Sequence, residues 1–150
     1  HPNVIGMSAQ LWSEVIRSFA QVEWQLYPKM FGLAERAWNT RSRLTLSEYN
    51  TLVYETLLPR LHAAGHNFHL QQPGIHAEQT EDGTLLITMN KVMQGGRIYY
   101  RIDNGEWQCY TAPFCVPDGT ATIKAYIDYL DHTSNTTWLW LQESTSKTKN

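Results

Sequence analysis

The sequence has no excess of positive charge, and this absence excludes one large class of functions. Twelve lysine and arginine residues stand against fourteen aspartate and glutamate residues, which gives the 150-residue chain a formal charge of −2. Proteins that bind nucleic acid normally carry a basic patch that neutralises phosphate groups. We therefore expect no nucleic-acid partner.

Long apolar runs are also missing. A helix that crosses a bilayer needs roughly 18 to 20 consecutive apolar residues, and no run in the sequence approaches that length. The chain has no signal peptide and no initiator methionine, and it opens on His-Pro. We therefore expect no membrane segment. We also expect the chain to be cut from a longer protein, whose absent part carries any targeting signal.

Cysteine is scarce, and the histidines do not form a metal-binding pattern. Cys109 and Cys115 could form a disulfide only if their Cα atoms came within about 7 Å, and two buried free thiols are the preferred alternative. His62, His66 and His69 have helical spacing, but a glycine ends the predicted helix between them and no carboxylate joins the set. We expect neither a bound metal nor another cofactor.

The first part of the chain shows the pattern of one strand followed by two helices. Residues 4–11 are apolar and short, which is typical of a buried strand. A first helix is predicted over residues 18–37, opened by a capping box and kinked at Pro28. A second helix is predicted over residues 45–65, again opened by a capping box and bent at Pro59.

Beyond residue 68 the apolar period changes from about 3.6 to 2. Turn signals rich in Gly, Asp and Asn separate short alternating segments, which predicts a small antiparallel, immunoglobulin-like β-sandwich. The predicted strands span residues 84–90, 96–102, 107–110, 120–128 and 136–142. As it stands, the chain is expected to be α+β, with a helical part over 1–67, the sandwich over 68–142 and a disordered polar tail over 143–150.

Aromatic side chains are plentiful, with six tryptophans and eight tyrosines. Carbohydrate-handling proteins often share this feature, because indole and phenol rings stack on the faces of sugars. Trp107, Trp138 and Trp140 could bind sugar in this way if they were exposed. Because Trp138 and Trp140 share one strand face, we favour packing in an aromatic core for them.

The stretch QLWSEV, residues 10–15, places a tryptophan and a carboxylate directly after the first predicted strand. A strand, an aromatic-acidic pair at its C-terminal end and a following helix form the last unit of a (β/α)8 barrel. Residues 6–39 resemble the final barrel segment of glycoside hydrolase family 20, the β-N-acetylhexosaminidases. The Leu-Trp-x-Glu motif of that family corresponds here to Leu11–Glu14, and its Ala-Glu-Arg-x-Trp motif to Ala34–Trp38.

The predicted sandwich resembles the C-terminal domain of bacterial chitobiase-like members of that family. The likeness covers the strand over residues 98–102, the Asp-Asn-Gly turn at 103–105 and the Tyr-Thr-Ala-Pro stretch at 110–113. The turn departs from the Asp-Gly-Ser-x-Pro usual in the family. The resemblance implies that residues 1–67 are the last strand and helices of a (β/α)8 barrel.

The resemblance also implies an activity for the protein to which this chain belongs. It points to a retaining exo-β-N-acetylhexosaminidase that removes terminal non-reducing β-linked N-acetylhexosamine by substrate-assisted catalysis. The catalytic pair of the family is an adjacent Asp-Glu, which this sequence lacks. The chain alone is therefore expected to contain no catalytic residue and to be inactive. Its implied partners are N-acetylhexosamine-containing glycans and the missing N-terminal barrel portion.

By the same resemblance, Trp12 and Glu14 bind substrate. Trp12 would form part of the apolar wall beneath the sugar, and Glu14 would accept hydrogen bonds from the O4 and O6 hydroxyls. The pattern alone favours a core position for Trp12 and a helix-cap role for Glu14; the resemblance reverses that preference. Glu35 and Arg36 lie mid-helix, where a structural ion pair or a barrel-wall contact is the favoured interpretation.

Two further questions stay open at this stage. The alternative function is a non-catalytic carbohydrate- or protein-binding β-sandwich module. The resemblance implies a periplasmic, outer-membrane-associated or secreted location, but the residues themselves leave the compartment undecided.

Overall fold

The computed structural model describes residues 3, 5–39, 41, 43–117 and 119–141. The chain divides into two compact units, His1–His69 with Met93–Gly95 and Leu70–Val92 with Gly96–Asn150. We call the first the helical unit and the second the sheet unit. The predicted tail, residues 143–150, lies outside the described residues.

The helical unit is built from short helices that follow one another along the chain. They are Phe19–Leu26 (α1), Lys29–Trp38 (α2), Leu46–Leu52 (α3) and Leu58–Ala63 (α4), with a π-helical turn, Val53–Leu57, between α3 and α4. No helix in the described part of the chain has the length and apolar character needed to cross a membrane.

Two prolines decide where these helices are interrupted. The predicted kink at Pro28 is confirmed as a complete break, because α1 ends before it and α2 begins after it. Pro59 lies in the first turn of α4, where its ring crowds the carbonyl of Glu55 four residues earlier. Glu55 lies in the wide π-helical turn. The departure from regular α-helix therefore occurs at the residue whose carbonyl the Pro59 ring crowds.

The capping box predicted for the second helix is confirmed. The hydroxyl oxygen of Thr45 accepts a hydrogen bond from the Glu48 backbone N–H at 3.3 Å, and the Glu48 carboxylate accepts from the Thr45 backbone N–H at 2.8 Å. This reciprocal pair satisfies two backbone donors that the start of a helix otherwise leaves unpaired.

The predicted strand over residues 4–11 is wrong for this chain. Val4 lies outside the described residues, and residues 5–13 belong to no helix or strand. Every strand pairing in the described part of the chain lies beyond residue 73. A strand is held by hydrogen bonds to a neighbour, and none of these pairings includes the 5–13 segment. An apolar pattern alone does not supply such a neighbour.

The sheet unit contains antiparallel strands arranged in two sheets. The strands are Gly74–Gln79 (β1), Leu85–Asn90 (β2), Arg97–Ile102 (β3), Gln108–Cys109 (β4), Phe114–Cys115 (β5), Thr122–Tyr129 (β6), His132–Thr133 (β7) and Thr137–Trp140 (β8). One sheet has the order β1-β2-β5. The other has the order β4-β3-β6-β7, and β8 also pairs with β6. The chain is therefore α+β with an antiparallel, sandwich-like unit, as predicted.

The alternating pattern predicted five of these strands and missed β1, β5 and β7. In β1 only Ile75 and Ala77 are apolar at alternating positions, so its pattern is weak. The stretch HTSN at 132–135, between two predicted strands, has the composition of a turn. That prediction is wrong, because its first two residues pair with Asp128 and Tyr129 of β6.

The core of the sheet unit is formed by alternate residues of its central strand. Ile123, Ala125 and Ile127 of β6 are at most 1% exposed, and they share one face because side chains alternate along a strand. Tyr100 of β3 and Phe114 of β5 stack with ring centroids 4.4 Å apart and thereby join the two sheets. The opposite face of β6 is accordingly the outer face.

The predicted Asp-Asn-Gly turn after β3 is confirmed, and Asp103 anchors it. The backbone of Asp103 has φ of 48°, which asparagine, aspartate and glycine tolerate better than other residues. Its carboxylate accepts hydrogen bonds from the N–H groups of Ala121 and Thr122 at 3.1 and 2.7 Å. The Thr122 N–H contributes most to lowering the pKa of Asp103. The turn is thus tied to the start of β6.

Candidate functional site

The segment that carries the predicted sugar-binding pair leads into α1 through a turn. The backbone carbonyl of Ser13 accepts a hydrogen bond from the N–H of Ile16 at 3.1 Å, and Glu14 and Val15 form the tip of this turn. Trp12, just before the turn, has 76% of its surface exposed. Glu14 is exposed as well. Both predicted side chains are therefore accessible in this chain.

A cavity of about 390 Å³ lies between this segment and the first two helices. Trp12 lines it together with apolar side chains that include Leu26 and Met30. Gln25 and Lys29 also line it and supply hydrogen-bond donors. Apolar walls with a few polar groups are typical of a small-molecule site.

Glu14 is not among the residues that line this cavity, so the structure does not bring the two predicted residues into one pocket. Glu14 is not the cap of the next helix either. Ser18 is the N-cap of α1, and its hydroxyl oxygen accepts a hydrogen bond from the Gln21 N–H at 3.3 Å. The sugar-binding roles of Trp12 and Glu14 stay predictions.

A buried carboxylate ties α1 to the chain that follows α4. Glu23 is 7% exposed, and its two oxygens lie 2.6 Å from His66 Nδ1 and 3.1 Å from the backbone nitrogen of Asn67. The Asn67 side-chain amide also donates to the carbonyl of Ala20 at 2.9 Å. These contacts hold α1, and with it one wall of the Trp12 cavity, against a segment more than 40 residues away.

The Glu23 contacts make the stability of the helical unit dependent on pH. The Asn67 N–H, and then the hydrogen bond with His66, lower the pKa of Glu23 below its usual 4.5. Because the pKa is lower in the folded state, the stabilisation is present above pH 4.5 and is lost as the pH falls through the folded value. We expect Glu23→Gln to flatten the acid limb of a plot of melting temperature against pH, and Glu55→Gln, at an exposed carboxylate of the same unit, to leave it unchanged. Parallel acid limbs in all three proteins would contradict this prediction.

Glu35 and Arg36, within the second family-like motif, take part in local contacts of α2. Glu35 accepts a hydrogen bond from the Asn39 side-chain amide at 2.9 Å, one turn further along the helix. Burial, and then the negative charge of Glu35, raise the pKa of Tyr49. Both motif residues line a cavity of about 240 Å³ with Tyr49. These contacts fit a structural role in packing α2 against α3.

His66 and His69, two of the three histidines with helical spacing, have different surroundings. His66 pairs with Glu23, and His69 lies edge-on to Trp24 with ring centroids 4.5 Å apart. Burial, and then the charge of Lys29, lower the pKa of His69. Within the described residues, no group of three or more His, Cys, Asp or Glu is placed to hold a metal ion.

The tryptophans of the sheet unit correct a second prediction. Trp138 and Trp140 share a face of β8, but this face is the outer one, and they are 49% and 68% exposed. Trp107 is 39% exposed. The prediction that Trp138 and Trp140 pack in the core is wrong, because Leu139, between them, pairs with the fully buried Ile123 and takes the inner position. The strict alternation of Trp and Leu in TWLWL places the two sets on opposite faces, so only one set can face the core, but it does not determine which.

The exposure of the two cysteines differs from the favoured interpretation, which placed them in the interior. Cys109 and Cys115 are free, as favoured, but both are exposed and not buried. They lie in β4 and β5, which belong to different sheets. Each of these strands has only two residues and lies at the edge of its sheet, so the thiols are not covered by neighbouring strands.

Comparison with known families gives two matches that follow one another along the chain. The model of the glycosyl hydrolase family 20 catalytic domain matches residues 1–41. The model of the chitobiase/β-hexosaminidase C-terminal domain matches residues 57–135, which is more than half of the chain.

Individual proteins show the same likeness. The chain is 29% identical over 128 residues to an N,N'-diacetylchitobiase of Vibrio harveyi, which covers 70% of this chain and 14% of that protein. It is 25% identical over 123 residues to a β-hexosaminidase of Porphyromonas gingivalis (strain ATCC BAA-308 / W83). This match covers 78% of this chain and 15% of that protein. A shorter stretch of 34 residues is 56% identical to β-hexosaminidase B of Pseudoalteromonas piscicida. This match covers 23% of this chain and 4% of that protein. The chain thus spans about one seventh of the length of the first two relatives.

Proposed function

Because the chain belongs to the chitobiase/β-hexosaminidase C-terminal domain family, we propose that it is the C-terminal part of a longer glycoside hydrolase of the β-hexosaminidase type. The proposed substrate is a glycan with a terminal non-reducing β-linked N-acetylhexosamine. The relatives named chitobiase and β-hexosaminidase support this substrate class.

One observation of the structure carries the proposal. The segment that matches the catalytic-domain model exposes an unusual number of large apolar side chains within fifteen residues. They are Ile5, Met7, Leu11, Trp12, Val15 and Phe19. Single exposed apolar residues are normal, but this many in one short segment favour a surface that another protein element covers. The proposed cover is the remainder of a (β/α)8 barrel, of which residues 1–67 would be the C-terminal segment.

In such a barrel the turn after residue 12 would lie at the catalytic end, where the loops that bind substrate meet. Trp12 would then cover an apolar face of the terminal sugar, because an indole ring offers a large flat surface with low conformational freedom. Glu14 would accept hydrogen bonds from the O4 and O6 hydroxyls, and bonds to an ionised acceptor are stronger than neutral ones. Both residues would select and orient the sugar.

The bond-breaking chemistry would come from elsewhere in the longer protein. In the proposed retaining reaction, the acetamido oxygen of the substrate attacks the anomeric carbon, and a carboxylic acid protonates the departing oxygen. The Asp-Glu pair that performs this chemistry in the family is absent from this sequence. The chain alone would therefore position the sugar without cleaving it.

A hydrolysis assay with a chromogenic β-N-acetylglucosaminide tests the proposal. We expect no turnover by the purified 150-residue chain, and turnover by the longer protein that includes the upstream barrel. Robust turnover by the chain alone would refute the claim that the catalytic acid lies upstream. A folded longer protein that leaves both glucosaminide and galactosaminide substrates intact would refute the proposed function itself.

A further inference from the structure

The outer surface of the five-stranded sheet combines aromatic rings with cationic side chains. We call this surface the outer aromatic face, and its members are Arg101, Trp107, Lys124, Tyr126, Trp138 and Trp140. The solvent-facing side of an antiparallel sheet is ordinarily polar, so a surface of this composition requires an explanation.

The strand register brings these side chains together. Arg101 of β3 pairs with Lys124 of β6, and Lys124 pairs with Trp138 of β8. Directly paired residues of antiparallel strands project to the same face. Tyr126, two residues beyond Lys124, projects to this face as well. The side chains from Trp138 to Trp107 form a row across four neighbouring strands, β8, β6, β3 and β4, with Trp107 directly before β4. The three spacings between these strands amount to about 14 Å.

The rings are held in place before any ligand arrives. Lys124 Nζ lies 3.9 Å from the centroid of the Trp138 ring, and the Arg101 guanidinium carbon lies 4.9 Å from that of Trp107. The rings of Trp107 and Tyr126 also pack edge-to-face, with their centroids 4.7 Å apart. Cation–π and edge-to-face contacts of this kind restrict the rings. A surface whose side chains are already ordered pays a smaller entropic cost on binding.

The rings nevertheless keep much of their area open. Trp140 is 68% exposed although it stacks on Trp138 with ring centroids 5.7 Å apart. Lys124 is itself only 8% exposed, because the ring of Trp138 covers its ammonium group. The outermost ring, Trp140, is therefore the part of the face with the largest free aromatic surface.

We propose that the outer aromatic face binds an oligosaccharide of N-acetylhexosamine units. Sugar rings present C–H faces that pack on indole rings, and their acetamido and hydroxyl oxygens accept hydrogen bonds from indole and guanidinium N–H groups. Both donors and open rings occur on this face. Asp128, two residues beyond Tyr126 in β6, projects to the same side of the sheet and pairs with Arg97 of β3. Its width favours a chain of sugars over a single ring. The identity of the sugar rests on the proposed function, whereas the position of the site rests on the geometry of the sheet.

Titration calorimetry of the 150-residue chain with a hexamer of N-acetylglucosamine tests this proposal. We expect the unaltered chain to bind, and Trp140→Ala to weaken binding by about tenfold or more, as the loss of a ring-sized apolar contact implies. Trp138→Ala should weaken it as well. The matched control is Trp38→Ala, which removes a ring that is 87% exposed in the helical unit and should leave the affinity unchanged. Near-ultraviolet circular dichroism checks that each variant is folded.

The outcomes separate this site from the one proposed at Trp12. Affinity that is lost in Trp12→Ala and retained in Trp140→Ala would overturn the inference and leave the proposed function intact. No binding of the hexamer by the unaltered chain would also overturn it. Binding that disappears with Trp140, in a protein whose longer form hydrolyses no hexosaminide, would support the site while refuting the proposed function. Equal binding of a glucose hexamer would overturn the assignment to N-acetylhexosamine.

Discussion

Replacing Ile123 with alanine is expected to lower the free energy of unfolding of the chain by about 2 to 5 kcal/mol. Ile123 is fully buried in β6, the strand that pairs with neighbours on both sides. It lies opposite Ile102 on one side and Leu139 on the other. Removing its side chain takes apolar surface out of the core and leaves a cavity that these paired strands can fill only partly.

Urea unfolding followed by tryptophan fluorescence measures this effect, and Ile5→Ala is its matched control. Ile5 carries the same side chain but is fully exposed in this chain, so its replacement should change the free energy of unfolding by no more than about 0.5 kcal/mol. Ile123→Val, which removes one methyl group, should lie between them at about 0.5 to 1.5 kcal/mol. Equal losses for the two alanine variants would contradict the assignment of β6 to the core.

The second large effect is expected on catalysis by the longer enzyme. Glu14→Ala should lower kcat/KM on a β-N-acetylglucosaminide by at least about 100-fold, because two hydrogen bonds to a charged acceptor are lost at about 1.5 to 3 kcal/mol each. Glu14→Gln keeps an acceptor oxygen without the charge and should lose less. Steady-state kinetics of the purified enzyme give these values, with Glu81→Ala, at an exposed carboxylate in the β1–β2 turn, as the control that should behave like the unaltered enzyme.

A deoxy substrate distinguishes a sugar contact of Glu14 from a purely structural effect. The unaltered enzyme should discriminate against a substrate that lacks the O4 hydroxyl, whereas Glu14→Ala should have lost most of that discrimination, since the partner of the hydroxyl is gone. If the two enzymes penalise the deoxy substrate to the same degree, Glu14 does not contact O4. The same comparison with a substrate lacking O6 tests the other proposed hydrogen bond.

Local rules in the sequence were enough for several features of both units. Proline cannot continue a helix, so Pro28 interrupts one in any surroundings. The Thr45–Glu48 capping box forms because all its partners lie within four residues. Alternation over β2, β3 and β6 placed Ile98 and Ile127 on one buried face. In each case the deciding interaction is short-ranged or follows from the strand period itself.

The predictions that failed depend on distant partners. An apolar run such as residues 4–11 becomes a strand only if other strands pair with it, and the described residues of this chain provide none for it. The side of the sheet on which Trp138 and Trp140 lie depends on which of two alternating sets meets the second sheet. Glu23 shows the same dependence, because its partners His66 and Asn67 follow more than 40 residues later.

The sequence by itself determined the order of the parts: a helical segment with a family 20-like motif, then an alternating region that folds as antiparallel sheets. It did so because turn chemistry, helix caps and side-chain period act over a few residues. Only the tertiary structure decided which aromatic rings are open to a ligand and which carboxylate is buried. Burial is a property of what packs against a residue, and for Trp140 and Glu23 the residues that decide it come from other elements of the fold.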